Sequence, residues 1–156
     1  MPIPVLSTDN ILHTARAHPL SDSLTFGQLN ICSILHKSSI VADIISEHEL
    51  DIFAVTESWH SSSDDISLKM AAPPGYTIVD VARDCPKYEN TINHGGIVLF
   101  CRSIFRIKRV TIAFLPTTFE LLLCSVHSVA SVTIFDIIYR PGSQPLSVKF
   151  FDELMS

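Results

Sequence analysis

The sequence predicts a mixed α+β fold, and three features of its pattern lead to that prediction. Residues 24–55 read as a strand, an amphipathic helix and a second strand, which together form a β-α-β unit. Residues 76–139 are a run of apolar segments separated by short polar turns, as in strands joined by hairpins. A final helix is expected from about Ser147. Because most strands follow one another without intervening helices, the pattern favours α+β over a regular βαβα repeat.

The composition is that of a single folded domain. The chain has 156 residues, 47% of them hydrophobic and 17% charged, which excludes disorder. No stretch approaches the roughly 20 apolar residues of a membrane helix, and no signal peptide is visible, so we expect an intracellular protein with no membrane partner. The net charge of −5 argues against non-specific nucleic-acid binding, but a nuclease with a locally positive cleft is still compatible with it.

The first half of the chain contains the β-α-β unit. Residues 1–23 show no clear period and are interpreted as a leader or linker. Residues 24–32 are predicted as the first strand, and Ser38 or Ser39 can cap a helix that continues to about residue 49. Residues 52–55 are short, continuous and apolar, which predicts a fully buried strand. Four apolar residues lie on one face of the helix: Ile40, Val41, Ile44 and Ile45.

The second half is predicted to be mainly strand. Residues 61–65 and 84–94 are polar and are predicted as loops, and Pro73-Pro74-Gly75 is a break. The final helix is expected to pack Val148, Phe151 and Leu154 against the protein. The predicted strands are residues 76–81, 97–101, 102–112 (an edge strand), 119–126 and 132–139, with a turn at 128–131.

Glu57 is the first candidate functional residue. It follows the buried strand directly, and in layered α/β proteins ligands bind just beyond the carboxyl ends of such strands. A carboxylate there is costly unless a metal or hydrogen bonds compensate it. Asn30 lies in the first strand, and Tyr139 and Arg140 end the last one, so these residues could approach one end of the sheet.

Four segments, in this order, resemble the endonuclease/exonuclease/phosphatase family, and more narrowly the apurinic/apyrimidinic-like endonuclease domain of LINE-type non-LTR retrotransposons. The resemblance covers residues 24–156, and no single motif in it is decisive. The segments are Leu29-Asn30-Ile31-Cys32-Ser33, Asp51-Ile52-Phe53-Ala54-Val55-Thr56-Glu57-Ser58-Trp59, Gly95-Gly96-Ile97-Val98-Leu99-Phe100 and Ile138-Tyr139-Arg140-Pro141.

The resemblance implies a four-layer α/β sandwich of the DNase I-like type, incomplete at its C-terminus in this chain, that cleaves phosphate esters with Mg²⁺ or, as a substitute, Mn²⁺. Glu57 matches the family's metal-ligand glutamate, and Mg²⁺ commonly takes one or two carboxylates and keeps several waters. Asn30 matches the active-site asparagine, which orients the metal site or a phosphate oxygen. Tyr139 matches a catalytic tyrosine, and Arg140 and His94 are candidates for binding the nucleic acid.

Each of these residues also has a plainer interpretation. A glutamate at a strand end is usually a solvated surface residue, and perturbed acids mark functional sites only statistically. Asn30 could be a turn residue, Tyr139 a core aromatic residue, and Arg140 and His94 ordinary solvated side chains. The four cysteines show no zinc-type spacing, and Cys101 and Cys124 are expected in the core (the other two are Cys32 and Cys85).

The chain departs from the family in one important way. The Gly-Asp-Phe-Asn and Ser-Asp-His segments, whose side chains activate water and hold the phosphate, do not occur in this sequence. The prediction is therefore a truncated endonuclease domain, inactive alone. The full domain would nick nuclear DNA to prime a C-terminal reverse transcriptase domain. Two alternatives stay open: another phosphoesterase of the same fold, and a non-catalytic fragment that acts only as a binding module.

Overall fold

The computed structural model describes residues 23–83, 94–142 and 146–156. The predicted leader up to residue 22 and the predicted loop at 84–93 lie outside these residues. In the described part the mixed α+β prediction is confirmed, with two sheets and three helices. In chain order the elements are β1 (Phe26–Asn30), α1 (Ser38–Glu47), β2 (Ile52–Thr56), α2 (Ile66–Ala71), β3 (Tyr76–Val81), β4 (Ile97–Arg102), β5 (Arg106–Arg109), β6 (Glu120–His127), β7 (Val132–Tyr139) and α3 (Val148–Leu154).

The first sheet has the strand order β1-β2-β4-β3. β1 and β2 are parallel neighbours, as the β-α-β pattern predicted, with Asn30 opposite Thr56. β4 lies between β2 and β3 and is antiparallel to both. Every residue of β2 is buried, which confirms the fully buried strand and explains why its sequence does not alternate.

Two apolar clusters cover the two faces of this sheet. On one face, Val41 and Ile45 of α1 and Leu68 of α2 pack against Phe53 and Phe100 of the sheet. On the other face, Ile52, Ala54 and Leu99 pack against the second sheet. Helices α1 and α2 therefore form one layer, and the two sheets form the next two. The second sheet contributes Leu122, Cys124, Val126, Ile137 and Tyr139 to that interface.

The second sheet has the antiparallel order β5-β6-β7. β6 and β7 are joined at the predicted turn, where the Ser128 amide donates to the Ser131 carbonyl at 2.9 Å. The predicted edge strand 102–112 is shorter in the structure, because Arg102 ends β4 and the strand that pairs with β6 spans Arg106–Arg109. Cys101 and Cys124 are buried between the sheets, as predicted.

The helices differ most from expectation. α2 was not predicted, and α1 begins after Lys37 without a side-chain cap, since the Ser38 hydroxyl donates to the Ile34 carbonyl instead. Ile40, predicted on the buried face, is 50% exposed. The predicted packing of α3 is wrong: it buries no residue. Among the described residues, no helix has the length and apolar character needed to cross a membrane. The three residues expected to pack from α3 are all exposed: Val148, Phe151 and Leu154.

Candidate active site

Glu57 stands at the end of β2 in a left-handed backbone conformation. Its φ is +53°, and Trp59 two residues later has a φ of +56°. The segment after β1 runs beside this turn: the Ser33 amide donates to the Glu57 carbonyl at 2.8 Å, and the Ile34 amide donates to the Ser58 carbonyl at 3.0 Å. Left-handed residues other than glycine are strained and persist where their surroundings hold them. We call residues 57–59 the Glu57 turn.

Three side chains donate hydrogen bonds to the Glu57 carboxylate. Asn30 Nδ2 lies 2.9 Å from Oε1, and the Tyr139 hydroxyl lies 2.8 Å from the same oxygen. The thiol of Cys32 lies 3.1 Å from Oε2. The predicted catalytic residues Asn30, Glu57 and Tyr139 therefore meet, although they come from β1, β2 and β7 of two different sheets.

These contacts determine the protonation of the site. The hydrogen bond from Asn30 is the main cause that lowers the pKa of Glu57, and bonds from Cys32 and Tyr139 act in the same direction against partial burial. Burial, and then the neighbouring Glu57, raise the pKa of Tyr139 to about 12. At neutral pH the site therefore holds an ionised carboxylate beside a phenol that keeps its proton.

Cys32 was missed as a site residue by the sequence analysis. It has a φ of +48° and is exposed, with its sulfur 3.1 Å from Glu57 Oε2 and 3.5 Å from Asn30 Oδ1. Donation to Glu57 is the main cause that raises the pKa of this thiol. The signal in the sequence was its position two residues beyond Asn30, but a single cysteine gave no indication of a contact with Glu57.

The residues present fit a minimal divalent-cation site. One carboxylate oxygen of Glu57 and the amide oxygen of Asn30 converge on the same point, which the weakly donating Cys32 thiol occupies. Mg²⁺ commonly binds proteins through one or two carboxylates and completes its shell with water and substrate phosphate. Within the ranges that the structure describes, no group of three or more His, Cys, Asp or Glu side chains could hold a metal. Glu57 and Asn30 would therefore supply two oxygen ligands to such a cation.

The two predicted substrate-binding residues lie at different places. His94 borders the site: its carbonyl oxygen lies 3.3 Å from the Tyr139 hydroxyl, and its ring meets the Trp59 ring edge-on, with centroids 4.6 Å apart. Arg140 directly follows Tyr139, and its Nη1 donates to the Pro141 carbonyl at 3.3 Å, within the turn after β7. His94 is thus positioned beside the group that bonds to the carboxylate, and Arg140 lies in the turn that follows Tyr139.

A buried hydrogen-bond chain lies behind the Glu57 turn and was also missed. Ser58 Oγ is 2.7 Å from His60 Nδ1, and His60 Nε2 is 3.0 Å from Asp80 Oδ2. Two signals in the sequence could have identified it. Ser58 and His60 are polar residues two positions apart directly after the buried strand β2, and Asp80 interrupts the apolar strand β3, where a carboxylate needs a partner.

Glu120 supports the other wall of the site. Its Oε2 accepts a hydrogen bond from the Gly96 amide at 2.6 Å, and Oε1 lies 3.2 Å from Arg83 Nε. Burial raises the pKa of Glu120, against the Gly96 bond and the charge of Arg83. A cavity of about 570 Å³ is lined by Arg83, Arg109 and Glu120 but not by Glu57. The candidate site around Glu57 therefore lies outside that cavity.

Comparison with known proteins does not identify the chain. No protein-family model matches it, and no curated protein is found to be similar to it. The functional interpretation therefore depends on the motifs and on the geometry around Glu57.

Proposed function

We propose that this chain carries the metal- and phosphate-binding part of a DNA endonuclease domain of the non-LTR retrotransposon type. One observation carries the proposal: Asn30, Glu57 and Tyr139, the three residues assigned from the resemblance, converge on one carboxylate from two sheets. One of the two donors to Glu57 Oε1, Tyr139, lies 82 positions away in the sequence, so the fold brings distant candidate residues to this carboxylate.

The layers of the structure are compatible with a DNase I-like sandwich. Two sheets pack face to face, and α1 and α2 cover the outer face of the first sheet. α3 borders a groove on the outer face of the second sheet, and Leu121, Ile138 and Leu154 are among the residues that line it. We propose that α3 belongs to the fourth layer of such a sandwich.

The side chains of the site suit the binding of a phosphodiester. Ionised Glu57 and the Asn30 amide oxygen would hold Mg²⁺ or Mn²⁺, which supplies charge stabilisation to the phosphate and to the leaving oxygen. The Tyr139 hydroxyl keeps its proton up to a pH of about 12, so it can donate to a phosphate oxygen as negative charge builds. His94 stands beside this group, where it can contact the nucleic acid.

The proposed reaction is metal-dependent nicking of target DNA, which primes a reverse transcriptase domain of the same protein, in the nucleus. The motifs that activate the attacking water are absent from this sequence, and positioned acid–base groups contribute about 10²–10⁴-fold in rate. We therefore expect the 156-residue chain to bind metal and DNA weakly and to leave supercoiled plasmid uncut.

Cation-dependent binding tests the proposal. Mn²⁺ binding to the full chain is measured by electron paramagnetic resonance, and binding of a fluorescent DNA duplex by anisotropy with and without Mn²⁺. We expect Mn²⁺ to strengthen DNA binding, and Glu57→Gln to abolish that dependence while keeping the shape of the side chain. Glu47→Gln makes the same change of charge on the exposed face of α1 and should leave both signals unchanged.

The outcomes separate the alternatives. If a phosphomonoester at the same concentration as the DNA displaces the DNA from the protein, the result would favour another phosphoesterase of the same fold. A folded chain that binds neither Mn²⁺ nor DNA would contradict the proposal and favour a non-catalytic interaction module.

A further inference from the structure

The buried hydrogen-bond chain of Ser58, His60 and Asp80 lies directly behind the candidate site. Ser58 and His60 are 0% and 1% exposed. This hydrogen-bond chain links the Glu57 turn to β3. The Ser63 hydroxyl also donates to Asp80 Oδ2, the oxygen that His60 contacts, at 3.0 Å. A buried polar group costs free energy unless its hydrogen bonds are made, and the bonds among these three residues meet that requirement.

The hydrogen-bond chain of Ser58, His60 and Asp80 is not a hydrolase triad. In such a triad the serine bonds to Nε2 of the histidine and must reach substrate. Here Ser58 bonds to Nδ1 of His60 and Asp80 bonds to Nε2. Ser58 is also fully buried, so a substrate cannot reach it. Because the Asp80 carboxylate can only accept, Nε2 of His60 donates to it, and the opposite ring nitrogen faces Ser58.

The Glu57 turn needs such a support. Glu57 and Trp59 both have left-handed backbones, a strained conformation that survives only when the surroundings hold it. Ser58, between them, is held by backbone bonds at its amide and carbonyl, to Gly96 and Ile34, and by its hydroxyl, which is its side-chain link to His60. Without the hydroxyl, the turn can relax toward ordinary backbone angles, which would move the Glu57 side chain.

We propose that His60 and Asp80 are positioning residues that act through Ser58, holding the Glu57 turn so that the carboxylate faces Asn30 and Tyr139. They touch no substrate. Their effect on metal binding rests on the proposed function, whereas their effect on the position of Glu57 does not. Outer groups that orient metal ligands typically change metal affinity by about 10–100-fold when removed.

The position of Glu57 can be followed without any activity. The side-chain amide of Asn30 donates to Glu57 Oε1, so its ¹H–¹⁵N signal reports on that bond, and Glu57→Ala gives the signal of the broken bond. We expect Ser58→Ala and His60→Ala to move the Asn30 signal most of the way to that position. The backbone amide of Thr117, which donates to Glu153, should not move.

A matched control separates positioning from the general loss of a serine–histidine bond. Ser125 Oγ lies 3.0 Å from His127 Nε2 on β6, so His127→Ala removes a similar bond elsewhere and should leave the Asn30 signal in place. If His60→Ala does not fold, Ser58→Ala, which removes a single oxygen, decides the question. An Asn30 signal that Ser58→Ala leaves unmoved would overturn the proposal.

Metal affinity gives the second measurement. We expect Ser58→Ala to weaken Mn²⁺ binding by about tenfold. If Glu57→Ala itself leaves Mn²⁺ binding unchanged, the proposed metal site is wrong, and the Asn30 signal still tests the positioning role. If Glu57→Ala abolishes binding but Ser58→Ala changes neither the affinity nor the Asn30 signal, the positioning role is wrong and the metal site stands.

Discussion

Gly96→Ala is expected to destabilise the chain by pressing a methyl group into the buried hydrogen-bond chain. Gly96 has a φ of +96°, and a Cβ atom there would lie 2.7 Å from Ser58 Oγ and 3.0 Å from His60 Nδ1. Both neighbours are fully buried and hydrogen-bonded, so they cannot move aside without breaking their contacts. The substitution therefore combines backbone strain with overpacking.

The magnitude follows from these two effects. A left-handed backbone costs a residue with a Cβ about 1–2 kcal/mol, and overpacking a filled interior costs about 1–3 kcal/mol. The expected loss in the free energy of unfolding is therefore about 2–5 kcal/mol. Gly75→Ala isolates the first effect, because Gly75 has a φ of +85° and a Cβ there meets nothing within 4 Å. It should cost about 1–2 kcal/mol.

Urea unfolding followed by circular dichroism measures both variants. For a small domain that unfolds in one step, a lower midpoint at an unchanged slope is a loss of stability. The reasoning would be refuted if Gly96→Ala cost within about 0.5 kcal/mol of Gly75→Ala, the range of ordinary surface substitutions. The interior around Ser58 and His60 would then be looser than the contacts at Gly96 indicate.

Three further predictions concern titratable groups. Asn30→Ala should raise the pKa of Glu57 toward its ordinary value, because Asn30 is the main group that lowers it; an NMR titration of the carboxyl carbon that shows no change would contradict this. Cys32 should react slowly with iodoacetamide, because its bond to Glu57 raises its pKa, and Glu57→Gln should speed the reaction; peptide mapping resolves Cys32 from the other cysteines, and equal rates would count against the contact. Burial of Glu153 opposes its ionisation, but hydrogen bonds, first from Thr118, outweigh it and lower its pKa to about 2. Its contribution to stability is therefore complete above its ordinary pKa of 4.5 and is lost as the pH falls toward about 2. Glu153→Gln should reduce the pH dependence of thermal unfolding in that range, and an unaltered dependence would show that the threonine bonds contribute nothing.

Local pattern was sufficient to predict most strands. β7 has the predicted bounds Val132–Tyr139, and β2 differs from its prediction by one residue. Both are continuous segments rich in β-branched and aromatic residues, whose preference for strand agrees with their burial. Short apolar segments of this kind are predicted correctly as strands, because their local preference for strand and their burial in the fold favour the same conformation.

Packing determined what local pattern could not. α2 is only six residues long, and its N-cap, Asp65, lay in what read as a polar loop. α3 has an apolar face, but the burial that it predicted does not occur, and the helix meets the protein through Phe150, whose ring contacts the Phe119 ring. The insertion of β4 between β2 and β3 is a choice of topology, and no property of those residues alone specifies it.

By itself, the sequence determined the types of most elements, the buried character of β2 and the candidacy of Asn30, Glu57 and Tyr139. Only the tertiary structure decided that these three side chains meet, that Cys32 joins them, and that Ser58, His60 and Asp80 lie behind them. The physical reason is the range of the interactions. Strand and helix preferences act within a few residues, whereas these contacts depend on two sheets burying their apolar faces against each other, which brings together residues far apart in the chain.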